Sequence, residues 1–395
     1  MLALMLACNA PFHLDSDEPD VTDDTPSTSD TDLVPIPLDP AYLSFFDPIS
    51  VQEIALEIAP EELARLEVAP RDYVHGAFVH GETRLADVGI RLKGSSTFHD
   101  MSGKAAFKIR FNAFESGAEY AGLERLTLNN LTNDAAQCRE VLAYRLWNDA
   151  GVPAPMATFA RVVVNGEYFG LYAAVEPMDD AWLRKRYREP DGNLWEANDS
   201  ADLTVSGLPH FELAVAAVGV EVASLEDVAA RLAEAVADTE DVATDVIEGD
   251  SFLDYWAWSM ATGNLDGYPY NLNDYYMYAD PEAGGRLRFS PWGLDETWDT
   301  GWFFQWGVGV VARDCATNRD CLSALLLRTE GALRTYEEAD PVARLEELYA
   351  LTETAMQEDP RRPWTPAEVL AARARLSVLV GAWPARVRAS IAAAE

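Results

Sequence analysis

Residues 161–176, RVVVNGEYFGLYAAVE, decide the fold. Two runs rich in β-branched and aromatic residues flank Asn165-Gly166, and an Asn-Gly pair between such runs is the strongest short-range hairpin signal, because a primed two-residue turn needs positive φ at both central positions. Working upstream, IRLKGSSTF (90–98) and AAFKIRFNAF (105–114) carry short alternating or β-branched runs joined by Gly and Ser, which predicts a hairpin or two neighbouring strands. One helix interrupts them at about 134–150, with Asp134 placed to cap its start and Gly151 and Pro153 to stop it. Working downstream, the pattern turns helical beyond about residue 180. Ser224 through Asp227 resembles a capping box opening one helix. Ser251 is placed to cap FLDYWAWSMAT (252–262), which Gly263 ends, and the last 50 or so residues read as two or three amphipathic helices. No internal repeat is visible. Strands first and helices second predict an α+β chain of two lobes: a strand-rich N-lobe over 36–178 and a mainly helical C-lobe over 179–395.

The chain has 395 residues, 49% of them hydrophobic, with 11 Trp, enough to bury a sizeable interior. Its formal net charge of −36 argues against direct contact with nucleic acid or anionic lipid, since phosphate backbones would be repelled, and favours metal cations or basic partners. No apolar run is long enough to span a bilayer. The start, MLALMLAC, reads as the end of an apolar export segment stopping at Cys8, although no basic stretch precedes it. The tract that follows, including DSDEPDVTDDTPSTSDTD (15–32), is too polar to pack a core, so residues 1–35 read as signal remnant and acidic tether. Cys315 and Cys321 stand in DCATNRDC among turn-forming residues. In an exported chain, without further Cys or His at zinc spacing, that pair predicts a local disulfide. Cys138 is left as a small buried hydrophobe.

Zincin, serine-hydrolase and P-loop signatures are absent. What remains is residues 263–299, GNLDGYPYNLNDYYMYADPEAGGRLRFSPWGLDETWD. Asp266 and Asn271 have the Asp-x-x-x-x-Asn spacing of a protein-kinase catalytic loop, in which Asp takes the substrate hydroxyl proton and Asn holds magnesium. DYYMY and RLRFSPW read as a strand pair, and Asp295 just after them stands where a carboxylate would bind the metal that bridges nucleotide phosphates. Asp and Asn are also ordinary turn residues, so spacing alone leaves loop-shaping open. Upstream, Gly94, Ser95, Ser96 and Thr97 offer donors to phosphate oxygens, with Lys104 or Lys108 to place a positive charge beside them, or else form only a solvated hairpin tip. Glu140 is placed either to pair with that lysine or to be a surface acid. The aromatic WFFQWGVG segment (302–309) reads as core or as a substrate groove.

Several segments appear together and in order: RLKGSSTF with GKAAFKIRF, LNNLTNDAAQCREVLAYRLWNDAGVPAP, VVVNGEYFGLYAAVEPMD, GNLDGYPYNLNDYYMY and FSPWGLDETWD. Over about residues 85 to 300 the chain thereby resembles the CotH family, the spore-coat-protein-H-like atypical protein kinases. MLALMLAC resembles a bacterial lipoprotein signal with Cys8 as the lipidated residue, and the CotH resemblance implies a secreted or surface enzyme. Net charge alone favours a basic acceptor protein, while the resemblance implies a protein-kinase-like fold that uses ATP with Mg²⁺ or Mn²⁺ to phosphorylate Ser or Thr of a protein. It makes Asp266 the catalytic Asp, Asn271 and Asp295 the metal ligands, Lys104 or Lys108 the phosphate-contacting lysine, and Val175-Glu176-Pro177 the hinge beside adenine. Two departures stand out. Gly293 takes the first Asp position of the family's Pro-Trp-Asp-x-Asp pattern, and Asp274 stands where Asn is common, returning a carboxylate to the site. The alternatives are a pseudokinase or assembly scaffold that binds nucleotide or metal without turnover, and a metal-stabilised structural protein.

Overall fold

The computed structural model describes residues 38–47, 49–238, 246–298 and 307–394. Cys8, the acidic tether and the aromatic residues 302–306 lie outside them.

Asn165 and Gly166 both adopt positive φ, 50° and 85°, and join β6 (Ala157–Val164) to β7 (Glu167–Val175) as the turn chemistry requires. This hairpin is the closing element of a seven-stranded barrel. The strands β1 (Val51–Glu57), β2 (Val74–His80), β3 (Thr83–Lys93), β4 (Ala106–Arg110) and β5 (Arg125–Asn129) follow one another antiparallel, β5 pairs with β7, and β6 returns parallel to β1. Alternation along each strand sorts its residues. Ile90, Leu92, Phe107, Ile109, Leu126 and Leu128 fill the barrel interior. Arg91 is registered opposite Lys108, and Lys108 opposite Thr127. Arg91, Lys93, Lys108, Thr127 and Asn129 therefore share the outer face.

A second core lies against the outer face of β6 and β7. There α3 (Arg139–Asp149) packs with α6 (Gly249–Thr262) and with three long helices, α8 (Arg319–Glu338), α9 (Pro341–Glu358) and α10 (Pro366–Ala394). The shorter helices are α1 (Pro40–Phe45), α2 (Pro60–Val68), α4 (Asp180–Arg186), α5 (Leu225–Asp238) and α7 (Val310–Thr317). A separate four-stranded sheet has the order β11 (Arg286–Pro291), β10 (Tyr275–Asp280), β8 (Leu194–Ala197), β9 (Phe211–Val215). The architecture is mixed α+β.

Local expectations are met unevenly. The Ser224 hydroxyl accepts from Asp227 N and bonds the Asp227 carboxylate, a capping box at the head of α5. α3 starts at Arg139, five residues later than expected, because the Asp134 carboxylate turns back onto the N–H groups of Ala136, Cys138 and Arg139 and closes an irregular turn through Gln137 at φ 59°. α6 starts at Gly249 with Glu248, not Ser251, as its cap, and ends at Gly263 in the left-handed region. Cys315 and Cys321 are disulfide-bonded, with Cα atoms 5.1 Å apart. Cys138 is fully buried, and burial pushes its thiol up to about 12, which makes it inert.

Candidate functional site

The outer face of β3, β4 and β5 forms one wall of a cavity of about 440 Å³, within the range of small-molecule sites. Arg71, Arg91, Lys93 and Lys108 line that wall, and Gly94, Ser95, Ser96 and Thr97 form its lip. Gly94 has φ +107°, and a Cβ there would fall 2.9 Å from the backbone N of Phe98, so only glycine permits this turn. Arg71 donates to the Gly94 carbonyl and lies over the Phe98 ring, pinning the loop from outside. In a chain of net charge −36, four cations on one wall stand out as a local reversal of sign.

The facing wall is acidic. The Gly263 turn directs the chain out of α6 into the segment that carries Asp266, whose backbone N–H is held by the Asn264 side chain at 3.2 Å. The carboxylate of Asp266 accepts from the Asn271 amide on one oxygen and from Asn273 on the other. Asp274 follows in the left-handed region, φ 46°, at the foot of β10, and Asp295 sits in the short turn after β11. Pairing of Tyr275 with Pro291 brings the ends of these two strands together, and Trp292 N–H donates to the Asp274 carbonyl at 3.1 Å. Asp266, Asn273, Asp274, Gly293 and Asp295 all line the cavity.

The structure brings together Asp266, Asp295, Gly94, Ser95, Ser96, Lys108 and Glu140. It does not bring Lys104 there. That lysine is buried in an ion pair with Asp359, 2.6 Å away and 255 residues later, and does not line the cavity. Asn271 does not line it either, since its amide is spent on Asp266. Glu176 lies apart, its carboxylate enclosed by the Tyr42 hydroxyl, Arg186 and the Met156 N–H. Glu140 meets neither lysine expected for it. Its carboxylate accepts twice from the Asn129 amide, at 2.8 and 3.0 Å, while the Asn129 oxygen accepts from Lys93. Asn129 thus bridges Lys93 to Glu140. The sequence reading missed Lys93, Arg91, Arg71 and Asn129. Arg91-x-Lys93 on a strand is a visible sign that both share a face, but its register against Lys108 is not.

The electrostatics of the two walls are strained in opposite senses. Burial pushes the Asp274 carboxyl well above the usual carboxylate range, and the charges of Asp266 and Asp295 add to it. Burial raises Asp295 likewise, helped by Glu140 and Glu296. Across the cavity, burial lowers Lys93, with the charge of Lys108 adding to it, and also lowers Lys108. A ligand carrying both signs, a polyanion with a divalent cation, relieves both walls at once. Among the described residues no group of three or more His, Cys, Asp or Glu forms a cage for a metal ion. Two carboxylates facing a cationic wall nevertheless fit Mg²⁺ or Mn²⁺, because such ions are commonly held by one or two carboxylates together with substrate phosphates and water.

A family model described as CotH kinase protein matches residues 90–362, from β3 to the turn after α9. The chain belongs to the CotH family. It is also similar to the inner spore coat protein H of Bacillus subtilis (strain 168), with 24% identity over 269 residues, 66% of this chain and 69% of that protein. The CotH match takes in the Lys104–Asp359 pair and both walls of the cavity except Arg71.

Proposed function

We propose that this CotH protein is an ATP- and metal-dependent kinase of atypical two-lobed form, transferring the γ-phosphoryl group of ATP to Ser or Thr of a protein. The observation that carries the reading is the single cavity in which a Gly/Ser lip and four cations face Asp266, Asp274 and Asp295. Catalysis of phosphoryl transfer is mostly positioning and charge neutralisation, which is what these walls offer. Lys93, Lys108 and the 94–97 lip bind and orient the phosphates. Asp295 holds Mg²⁺ or Mn²⁺, which when bound neutralises charge on the phosphate oxygens. Asp266, with both oxygens oriented by Asn271 and Asn273, accepts the proton of the substrate hydroxyl as its oxygen bonds to the γ-phosphorus and the bond to the ADP oxygen breaks. The acidic surface steers basic acceptor proteins. The likeness to a spore coat protein supports a coat or cell-surface location.

The test is incubation of the purified chain with labelled ATP and Mn²⁺. Incorporation into the chain itself or a basic Ser-rich protein is expected, and Asp266→Ala and Asp295→Ala should each lower it at least about 100-fold. No transfer by the wild type sinks the enzymatic reading. Gly293, in place of a family carboxylate, favours a second reading, a scaffold that binds nucleotide without turnover. ATP would then raise the melting temperature without any transfer.

A further inference from the structure

Gly293 and the Asp274 side chain compete for one volume. A Cβ at Gly293 would lie 2.2 Å from an Asp274 carboxylate oxygen and 2.8 Å from its carbon, and Gly293 has φ +58°. No side chain at 293 is compatible with Asp274 where it stands. The carboxylate therefore lies directly over the glycine backbone, beside Asp295 and across the cavity from Lys93 and Lys108. Neither Asp274 nor Asp295 has an ion-pair partner among the described residues, and Lys93, whose charge bears on both, gives its hydrogen bond to Asn129.

A second observation is independent of these acids. The Tyr144 side chain is fully buried on α3, and its hydroxyl is left without a well-formed hydrogen-bond partner. It faces Glu140, Asp274, Asp295 and the Gly293 backbone N–H. A buried hydroxyl without a well-formed partner is costly, and this one lies behind the cavity wall within electrostatic reach of these acids, where it is placed to orient a carboxylate.

We infer that Asp274 is a ligand of the divalent cation together with Asp295, and that Gly293 is the residue that makes room for it. The inference rests on the reading of the cavity as a metal and nucleotide site. It accounts for both departures from the family pattern as one exchange: a carboxylate lost at 293 reappears on the adjoining strand end, over the vacated backbone. An Asn at 274 would keep the shape but not the charge, so the position specifies a cation and not merely a turn.

The experiment measures Mn²⁺ binding to the full chain by electron paramagnetic resonance, with a non-hydrolysable ATP analogue present. Asp274→Asn is expected to weaken binding at least about 10-fold, and Asp274→Gly with Gly293→Asp, which vacates the shared volume, to recover most of it. Unchanged binding in Asp274→Asn overturns the inference and leaves the kinase reading resting on Asp295. A double variant as weak as Asp274→Asn overturns the claim that the two positions share one site. A wild type that binds Mn²⁺ through Asp274 yet transfers no phosphate sustains the inference and defeats the kinase reading. A wild type that binds no Mn²⁺ defeats both. Should Asp274→Asn fail to fold, Fe²⁺ with peroxide on the wild type serves instead. Backbone cleavage at 274 and at 293–295 is expected, and cleavage that spares 274 overturns the inference.

Discussion

Two aspartates in this protein lie over glycines with positive φ, and they differ in what answers their charge. Asp359 sits over Gly170 at the barrel, where a Cβ would fall 2.7 Å from its oxygen, and Asp274 sits over Gly293. Asp359 is closed on every side: Lys104 at 2.6 Å, Leu171 N–H at 3.1 Å and Arg361 N–H at 2.9 Å. The side chains of Lys104 and Asp359 are 1% and 0% exposed. Asp274 opens on a cavity and has no such lysine in contact. The same residue types thus serve two ends. Where a buried carboxylate is paired and fully hydrogen-bonded, it fastens the end of α9 to the barrel. Where it is left beside like charges at the mouth of a cavity, it is available to a ligand.

The largest effect should come from breaking the closed pair. Lys104→Met leaves Asp359 as an uncompensated buried charge and should cost about 3–5 kcal/mol in denaturant unfolding. Adding Asp359→Asn, which removes the charge and keeps an acceptor for one of the two backbone N–H groups, should recover part of that loss. If Lys104→Met unfolds like the wild type, the pair is not a fastener and the contrast fails. On the open side the pattern should invert. Lys93→Met and Lys108→Met should each leave unfolding stability within about 1 kcal/mol, because each removes a lysine that burial already penalises. Each should also weaken ATP binding about 10–100-fold by calorimetry, the worth of one charged contact to phosphate. A lysine variant at 93 or 108 that binds ATP normally would break the comparison at its functional end.

Lys104 and Lys108 also show where the sequence stops being legible. Both follow the Gly/Ser segment, and both had equal claim to the phosphates. What separates them is Asp359, which no local pattern connects to Lys104, and strand register, which sets Lys108 opposite Arg91 on the outer face. Features decided within a few residues were readable: the Asn165-Gly166 turn, the Ser224 capping box, the Gly263 stop and the Cys315–Cys321 loop. Asp134 was misread as a helix start because the competing turn it forms depends on Gln137 adopting positive φ. Lys93 was missed because its role depends on Asn129 on β5 and Glu140 on α3. The acids of the site lie within one 30-residue stretch and were visible together. The cations come from the turn before β2, from β3 and from β4, and were not.

Asp179 stands between the two extremes and gives the finest test of the contrast. It is 3% exposed and caps α4 by accepting from Trp182 N–H at 3.1 Å, but among the described residues no lysine or arginine closes on it as Lys104 closes on Asp359. Burial raises its carboxyl from 3.8 to about 7, against the charge of Arg125 and the cap itself. Because the folded value is the higher one, the stability tied to the protonated form is complete below 3.8, is lost as pH rises, and is gone above about 7. Asp179→Asn keeps the capping oxygen and removes the charge. It should therefore match the wild type near pH 4 and exceed it by about 1–2 kcal/mol near pH 8 in urea unfolding. A difference that stays constant across that range would mean that Asp179 is already compensated like Asp359, and that absence of a paired cation does not mark the acids this fold holds at a cost.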